Sequence, residues 1–412
     1  MKKVTLVFLV IITSLFSIYL QLHKRNLSSS SKLPETPEAI DRENFAPVPL
    51  AIPQKKQTDP LAQFDLQQSK QINDTAKFLA GIQVTKNPEI SVLQESPNWI
   101  DYANFMNTAW GKLEEKQLTA ARQWATRELK PIRDTKSNLF YPFSGPDFLY
   151  ADTFFDRAPK YILAGLEPVG EIPKLSNLTL ATQQIQGVKE SLYTLLKYSF
   201  FRTIDMRSNL KDRGVLPLLY VFLARTDNTI LEVKYIGLNS QGELLGLHQQ
   251  PQSGSGLIPG VQISFLSLGE TQPKTLYYFA VDLSDAELQK TPEFLEFLAT
   301  QNLNATYLKA ASYLMHRETF SSIRNFILEN SDYILQDDSG IPVRYFDEAK
   351  WNRQFYGSYI KPIDLFAVRD QPELRQIYQS NPNIKSLGFG IGYKFDRDAN
   401  LMLSISKDKA TP

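Results

Sequence analysis

The chain contains no cysteine. That absence removes disulfides, thiolate nucleophiles, cysteine-bound zinc, iron–sulfur clusters and a lipid-modified N-terminal cysteine in one stroke. Histidine is nearly as scarce: His23, His248 and His316 are the three present, too few and too scattered for a histidine-rich metal site. Charge of one sign is also lacking, with 45 basic against 44 acidic residues and a net charge of +1. Nothing global therefore attracts nucleic acid or an acidic polymer, and no nucleic-acid partner is expected. The chain shows no internal repeat, no Gly-x-Ser-x-Gly elbow of the α/β hydrolases and no glycine-rich phosphate loop opening a helix.

What is present is a globular composition, 42% hydrophobic and 22% charged over 412 residues, enough to bury a large core. It is preceded by one long apolar run. Residues 4–22 carry no charge and lie between Met1-Lys2-Lys3 and His23-Lys24-Arg25. About 20 apolar residues suffice to cross a bilayer, and the run ends without the small-x-small site of a cleaved signal peptide. Residues 1–25 are thus expected to be a transmembrane signal anchor that contacts the membrane and places the body outside the cytoplasm. Residues 26–60 hold Ser28, Ser29, Ser30, Ser31 and six prolines, the composition of a tether. Residues 61–135 have helical spacing, with a cap and first-turn proline at Ser96-Pro97 and a stripe of Trp99, Tyr102, Met106, Trp110 and Leu113 that suits a core-facing helix. Residues 136–408 alternate strand-like and helix-like patterns, which predicts an α/β body with a mostly parallel or mixed sheet flanked by helices.

Within that body the spacing predicts strands at 139–143, 161–166, 215–224, 231–235, 261–265, 276–281, 305–310 and 333–336. The alternation of Leu387, Phe389 and Ile391 with glycines predicts one more strand, completing a terminal hairpin with residues 401–405. Open α/β sheets collect ligands at the carboxyl ends of their strands, and polar residues gather at several of these ends. Tyr141, Ser144, Gly145 and Asp147 follow the first, Glu167 the second, and Asp337 and Asp338 the strand at 333–336. These residues form the candidate binding site. Asp147 also suits the cap of a helix over 146–155, where asparagine would serve equally. Asp152 and Asp156, four apart on that helix, are the candidate ligands for a divalent ion if any is bound. His316, beside a predicted strand, is the one candidate general base for neutral pH, with Asp338 as its catalytic companion.

Strand, glycine turn, helix and a second strand ending on Glu167, 22 positions after Gly145, resemble the first unit of the methyltransferase-like Rossmann proteins. The resemblance implies their fold. With only Gly145 in place of a glycine-rich loop, and Pro146 after it, it argues against their cofactor, and no cofactor is assigned. Asp338-Ser339-Gly340 matches the aspartic-protease triplet, but a second copy is missing and that chemistry needs a carboxylate dyad. Residues 141–155 together with 336–342 also resemble a family of uncharacterised bacterial proteins, anchored or exported, over about residues 99–393. That resemblance implies no activity. The resulting expectation is an anchored domain binding a small polar or carbohydrate-like ligand. The alternatives are a hydrolase or relic methyltransferase-like enzyme using the same pocket, or a structural envelope protein.

Overall fold

The computed structural model describes residues 59–198, 214–251 and 254–408. The expected anchor at 4–22 and all but the last two residues of the expected tether lie outside these. Among the described residues no helix is long and apolar enough to cross a membrane.

Five helices come first: α1 (Leu66–Leu79), α2 (Pro88–Gln94), α3 (Pro97–Leu113), α4 (Thr119–Glu128) and α5 (Lys130–Asp134). Their starts are legible. Asp65, Asn87 and Ser96 each accept a backbone N–H of the first turn, and α2 and α3 open on proline, whose missing N–H costs nothing there. The stripe from Trp99 to Leu113 is buried as one face.

The body continues through β1 (Asn138–Tyr141), α6 (Phe148–Phe155), β2 (Lys160–Gly165), α7 (Leu178–Tyr198), α8 (Leu216–Arg225), β3 (Asn228–Leu238), β4 (Leu244–Leu247), β5 (Ile258–Ser267) and β6 (Lys274–Ala280). It ends with α9 (Asp285–Leu288), α10 (Glu293–Thr300), β7 (Leu303–Leu308), α11 (Ser321–Asn330), β8 (Tyr333–Gln336), β9 (Trp351–Gly357), α12 (Pro372–Ser380) and β10 (Asn400–Ser406). The strands form one mixed sheet of ten in the order β4-β3-β5-β6-β2-β1-β7-β8-β10-β9. Pairings β6/β2, β2/β1, β1/β7 and β7/β8 are parallel. β5 and β6 form an antiparallel hairpin, and β10 runs antiparallel between β8 and β9. Alternate residues of the central strands feed opposite cores: Leu139, Tyr141, Tyr161 and Leu163 pack with α1, α3, α4, α6, α7 and α8, while Phe140, Ile162 and Ala164 pack with α9, α10, α11 and α12. The α/β class and the mixed, helix-flanked sheet are as the sequence implies.

Two elements differ from expectation. Residues 215–224 form helix α8, not a strand. Every residue from Leu216 to Leu223 is buried, so the run shows no period to tell helix from strand, and Pro217 in its first turn was the available signal. Residues 387–393 form an irregular loop with one isolated bridge, Ile391 to Lys394, and β10 pairs with β8 and the unforeseen β9 instead. Glycine packs poorly in a ladder, and here Gly392 adopts φ +55.

At the far edge, β4 covers only β3 residues 235–238. Further along β3, helix α1 takes over: the Asn73 side chain accepts from Ile230 N at 2.9 Å and donates to Ile230 O at 2.7 Å, and Ser69 Oγ donates to the same carbonyl.

Candidate functional site

The chain leaves β1 at the middle of the sheet, builds β2 and β6 on one side, and returns to build β7 and β8 on the other. The carboxyl ends of β1 and β7 therefore flank the point where the order reverses, the usual crevice for a ligand. After Tyr141 the turn needs two left-handed residues, Phe143 at φ +58 and Gly145 at φ +54. Ser144 is tied to the end of β2, its N–H donating to Ala164 O at 3.0 Å. A Cβ on Gly165 would lie 2.9 Å from Gly145 Cα and 2.5 Å from Glu167 Oε2. Both glycines thus serve close backbone approach, and Glu167 folds back over the strand end, where Tyr278 Oη donates to its carbonyl at 2.7 Å.

Asp147 caps α6 as expected, accepting from Tyr150 N at 3.2 Å. Its other oxygen accepts from Tyr141 Oη at 2.9 Å and pairs with Lys309 Nζ at 2.7 Å. Both charged side chains are almost dry, 2% exposed for Lys309 and 3% for Asp147. The ammonium also lies 3.5 Å from the centre of the Tyr150 ring, whose hydroxyl donates to Gln117. Burial lowers the Lys309 pKa against the pull of Asp147, and burial followed by the Asp147 charge raises that of Tyr141.

At the end of β8, Asp337 accepts from Ala310 N at 3.1 Å, from Ser339 N at 2.9 Å and from Ser339 Oγ. Its carboxyl is pushed up to about 6, first by burial and then by Asp338. Asp338 accepts from Tyr313 Oη at 2.6 Å and Asn400 Nδ2 at 3.0 Å and pairs with Lys394 Nζ at 3.3 Å. The backbone of 388–395 covers this crevice, since a Cβ on Gly392 would lie 2.5 Å from Asp337 Oδ2. A cleft of about 430 Å³ opens on the outer side of this loop, sharing Lys394 with the crevice and otherwise lined by Ile360, Ile363, Tyr393, Arg397 and the acids Asp364, Asp396 and Asp398, while the cavity beside Asp337 and Asp338 themselves is only about 10 Å³.

The structure thus gathers Tyr141, Ser144, Gly145, Asp147, Glu167, Asp337 and Asp338 at one end of the sheet. His316 stands beside them, its ring 5.2 Å from that of Tyr313. Asp152 and Asp156 lie elsewhere. Helix α6 carries them away from Asp147, roughly 1.5 Å per residue, to the amino ends of the strands, where Asp156 pairs with Arg133 and its carbonyl accepts from Lys274. Asp152 is pushed up to about 7 by burial, with Lys274 opposing. Among the described residues no group of three or more metal-ligating side chains occurs. Residues that sequence reasoning missed are Lys309, Lys394, Tyr313 and Asn400. The one signal for Lys309 was a cation directly after an apolar strand.

His316 and Asp337 pull stability in opposite directions over one pH window. His316 is pushed down to about 4, by burial first, with Asp338 opposing and Arg369 and Arg344 adding. The fold therefore favours neutral imidazole, a contribution present above the unfolded pKa of about 6.5 and lost as pH falls towards 4. Asp337, raised to about 6, does the reverse: its contribution is full below the unfolded pKa of about 3.9 and is lost as pH rises through 6. His316→Gln should shift stability between pH 6.5 and 4 towards acid, by on the order of 1–2 kcal/mol relative to the parent, and Asp337→Asn towards neutral. Urea unfolding at stepped pH measures both, and parallel profiles for the two variants would contradict these shifts.

No protein-family model, curated protein or solved structure matches this chain.

Proposed function

We propose that residues 59–408 form a binding domain for a small polar, carbohydrate-like ligand, taken at the carboxyl ends of β1, β2, β7 and β8. The observation that carries this reading is Lys394. Lys394 lines the 430 Å³ cleft, and its buried ammonium, 3.3 Å from Asp338 and 4.6 Å from the centre of the Tyr359 ring, makes no hydrogen bond of good geometry. An ammonium has three donors, so Lys394 retains capacity for an oxygen-bearing ligand. The order of the parallel strands, 3-2-1-4-5 when numbered along the chain, supports a Rossmann-like, methyltransferase-like architecture. The packing of Gly145 on Gly165 and the single-glycine turn speak against a nucleotide there.

Thermal-shift measurements on the full chain with sugars, nucleotides and divalent ions test the reading. A sugar or similar polyol should raise the melting temperature, and Lys394→Gln should remove that rise while costing the free protein about 1–3 kcal/mol. If no polar compound shifts melting, or the variant responds as the parent does, the domain has no such site. Turnover of a compound that does shift melting would select the enzyme alternative, with His316 as base.

The same proposal places the domain on the outer face of a membrane, held by residues 4–22. Protease added outside spheroplasts should release it by cutting within residues 26–58. A protected body with an accessible N-terminus would reverse that topology.

A further inference from the structure

Residues Ile360 to Asp364 line the outer side of the cleft, and the chain runs on from them to Arg369. Its 3-10 turn, Asp364–Arg369, breaks regular helical geometry at Phe366, and that ring is held between Tyr313 at 4.4 Å and Tyr393 at 5.1 Å. With Phe366 pinned inward, its neighbours face out: Val368 is 86% exposed, Leu365 45% and Ile360 59%. Around them lie three arginines, Arg317, Arg344 and Arg369. Among the described residues none of the three has a carboxylate within ion-pair distance; of the nearby acids Asp364 pairs with Lys361, Asp370 with Arg375 and Glu318 with Arg324, while Asp396 and Asp398 on the cleft side of the segment are in no ion pair. Arg344 stacks on the Tyr345 ring, whose other neighbour is Arg324, and Arg324 donates to the carbonyl of Arg317. Arg317 and Arg369 are close enough to repel. Exposed aliphatic side chains next to unpaired guanidinium groups are what an interface between acyl chains and anionic headgroups accommodates. A soluble anion would satisfy the arginines and leave Val368 and Leu365 in water.

We propose that this surface, Ile360, Leu365 and Val368 with Arg317, Arg344 and Arg369, docks on the face of an anionic lipid bilayer. The inference is independent of the ligand reading, since it concerns the outside of the cleft wall.

The absence of cysteine permits a single reporter. Full-length Val368→Cys carrying an environment-sensitive fluorophore is mixed with vesicles of phosphatidylglycerol or of phosphatidylcholine. The expected result is a blue shift, and quenching by acyl-brominated lipid, in phosphatidylglycerol alone. The signal should fall at least tenfold when all three arginines are glutamine. A second reporter at Leu268, 81% exposed on the β5–β6 hairpin, should stay in water throughout. These are surface substitutions, so none should compromise folding. A Val368 reporter that remains in water on anionic vesicles, responds equally to neutral ones, or moves no more than the Leu268 reporter would overturn the proposal. So would a response to inorganic phosphate without vesicles, which would mark a soluble-anion site.

Discussion

Asp147→Asn should destabilise the protein by about 3–5 kcal/mol, read from the urea midpoint, because it leaves the Lys309 ammonium buried without its counter-charge. As a helix cap alone the change would be nearly free, since asparagine caps as well as aspartate. The ion pair of 2.7 Å is what overrides that expectation. The loss has a pH signature. Lys309 already sits below the ordinary lysine range through burial; without Asp147 the fold should favour its neutral form still more, so the deficit should shrink as pH rises towards the unfolded lysine pKa of about 10. Lys309→Met is the asymmetric partner. It strands a carboxylate that still accepts from Tyr141 Oη and Tyr150 N, so it should cost less. The double variant should be more stable than the sum of the single losses implies. An Asp147→Asn protein as stable as its parent would reduce the aspartate to a cap.

Gly392→Ala carries the second large effect. The residue has φ +55 and approaches Asp337 Oδ2 so closely that a methyl group would lie 2.5 Å away. Backbone strain alone costs about 1–3 kcal/mol at such a position, and Asp337 would have to leave Ala310 N or Ser339 to make room. Gly388→Ala, four residues earlier with nothing within 4 Å of the added carbon, should cost no more than about 1 kcal/mol. Urea unfolding gives the ranking. Amide exchange over residues 388–394 should accelerate in the first variant and hardly change in the second. Equal stability of the two would mean that the loop does not pack on Asp337 as described.

The sequence announced the central frame through local chemistry. Asp65, Asn87 and Ser96 mark helix starts, the alternation at 231–235 and 261–265 marks β3 and β5, and the strand ends at Tyr141, Gly165 and Gln336 locate the acids that the fold collects. Its silence has physical causes. A run buried on every side, as in α8, carries no period. Alternation of Phe389 and Ile391 with glycines mimicked a strand because both large side chains do enter the core, while the glycines between them answer to close packing. The partners of Asp147 and Asp338 lie 162 and 56 positions downstream, at Lys309 and Lys394. No local pattern links residues so far apart. Asp152 and Asp156 show the converse: helical spacing put them on one helix with Asp147, and only the direction of α6 told which end of the sheet each would reach.

The side chain of Asn73 deserves to be followed to its consequence for assembly. An amide that both accepts from and donates to the backbone of Ile230 occupies the hydrogen-bonding positions a neighbouring strand would use. Beyond the short β4, the open flank of β3 is thereby closed by a helix that contributes no ladder of its own to a second molecule. Exposed edges recruit other chains; here the recruiting groups are spent internally, and the adjoining Glu232 and Lys234 pair with each other at 2.7 Å. Because α1 precedes β3 in the chain, a polypeptide emerging from its amino end holds the blocking helix before the strand that needs blocking exists. Removal of α1 would therefore be felt first as self-association during synthesis rather than as loss of any site.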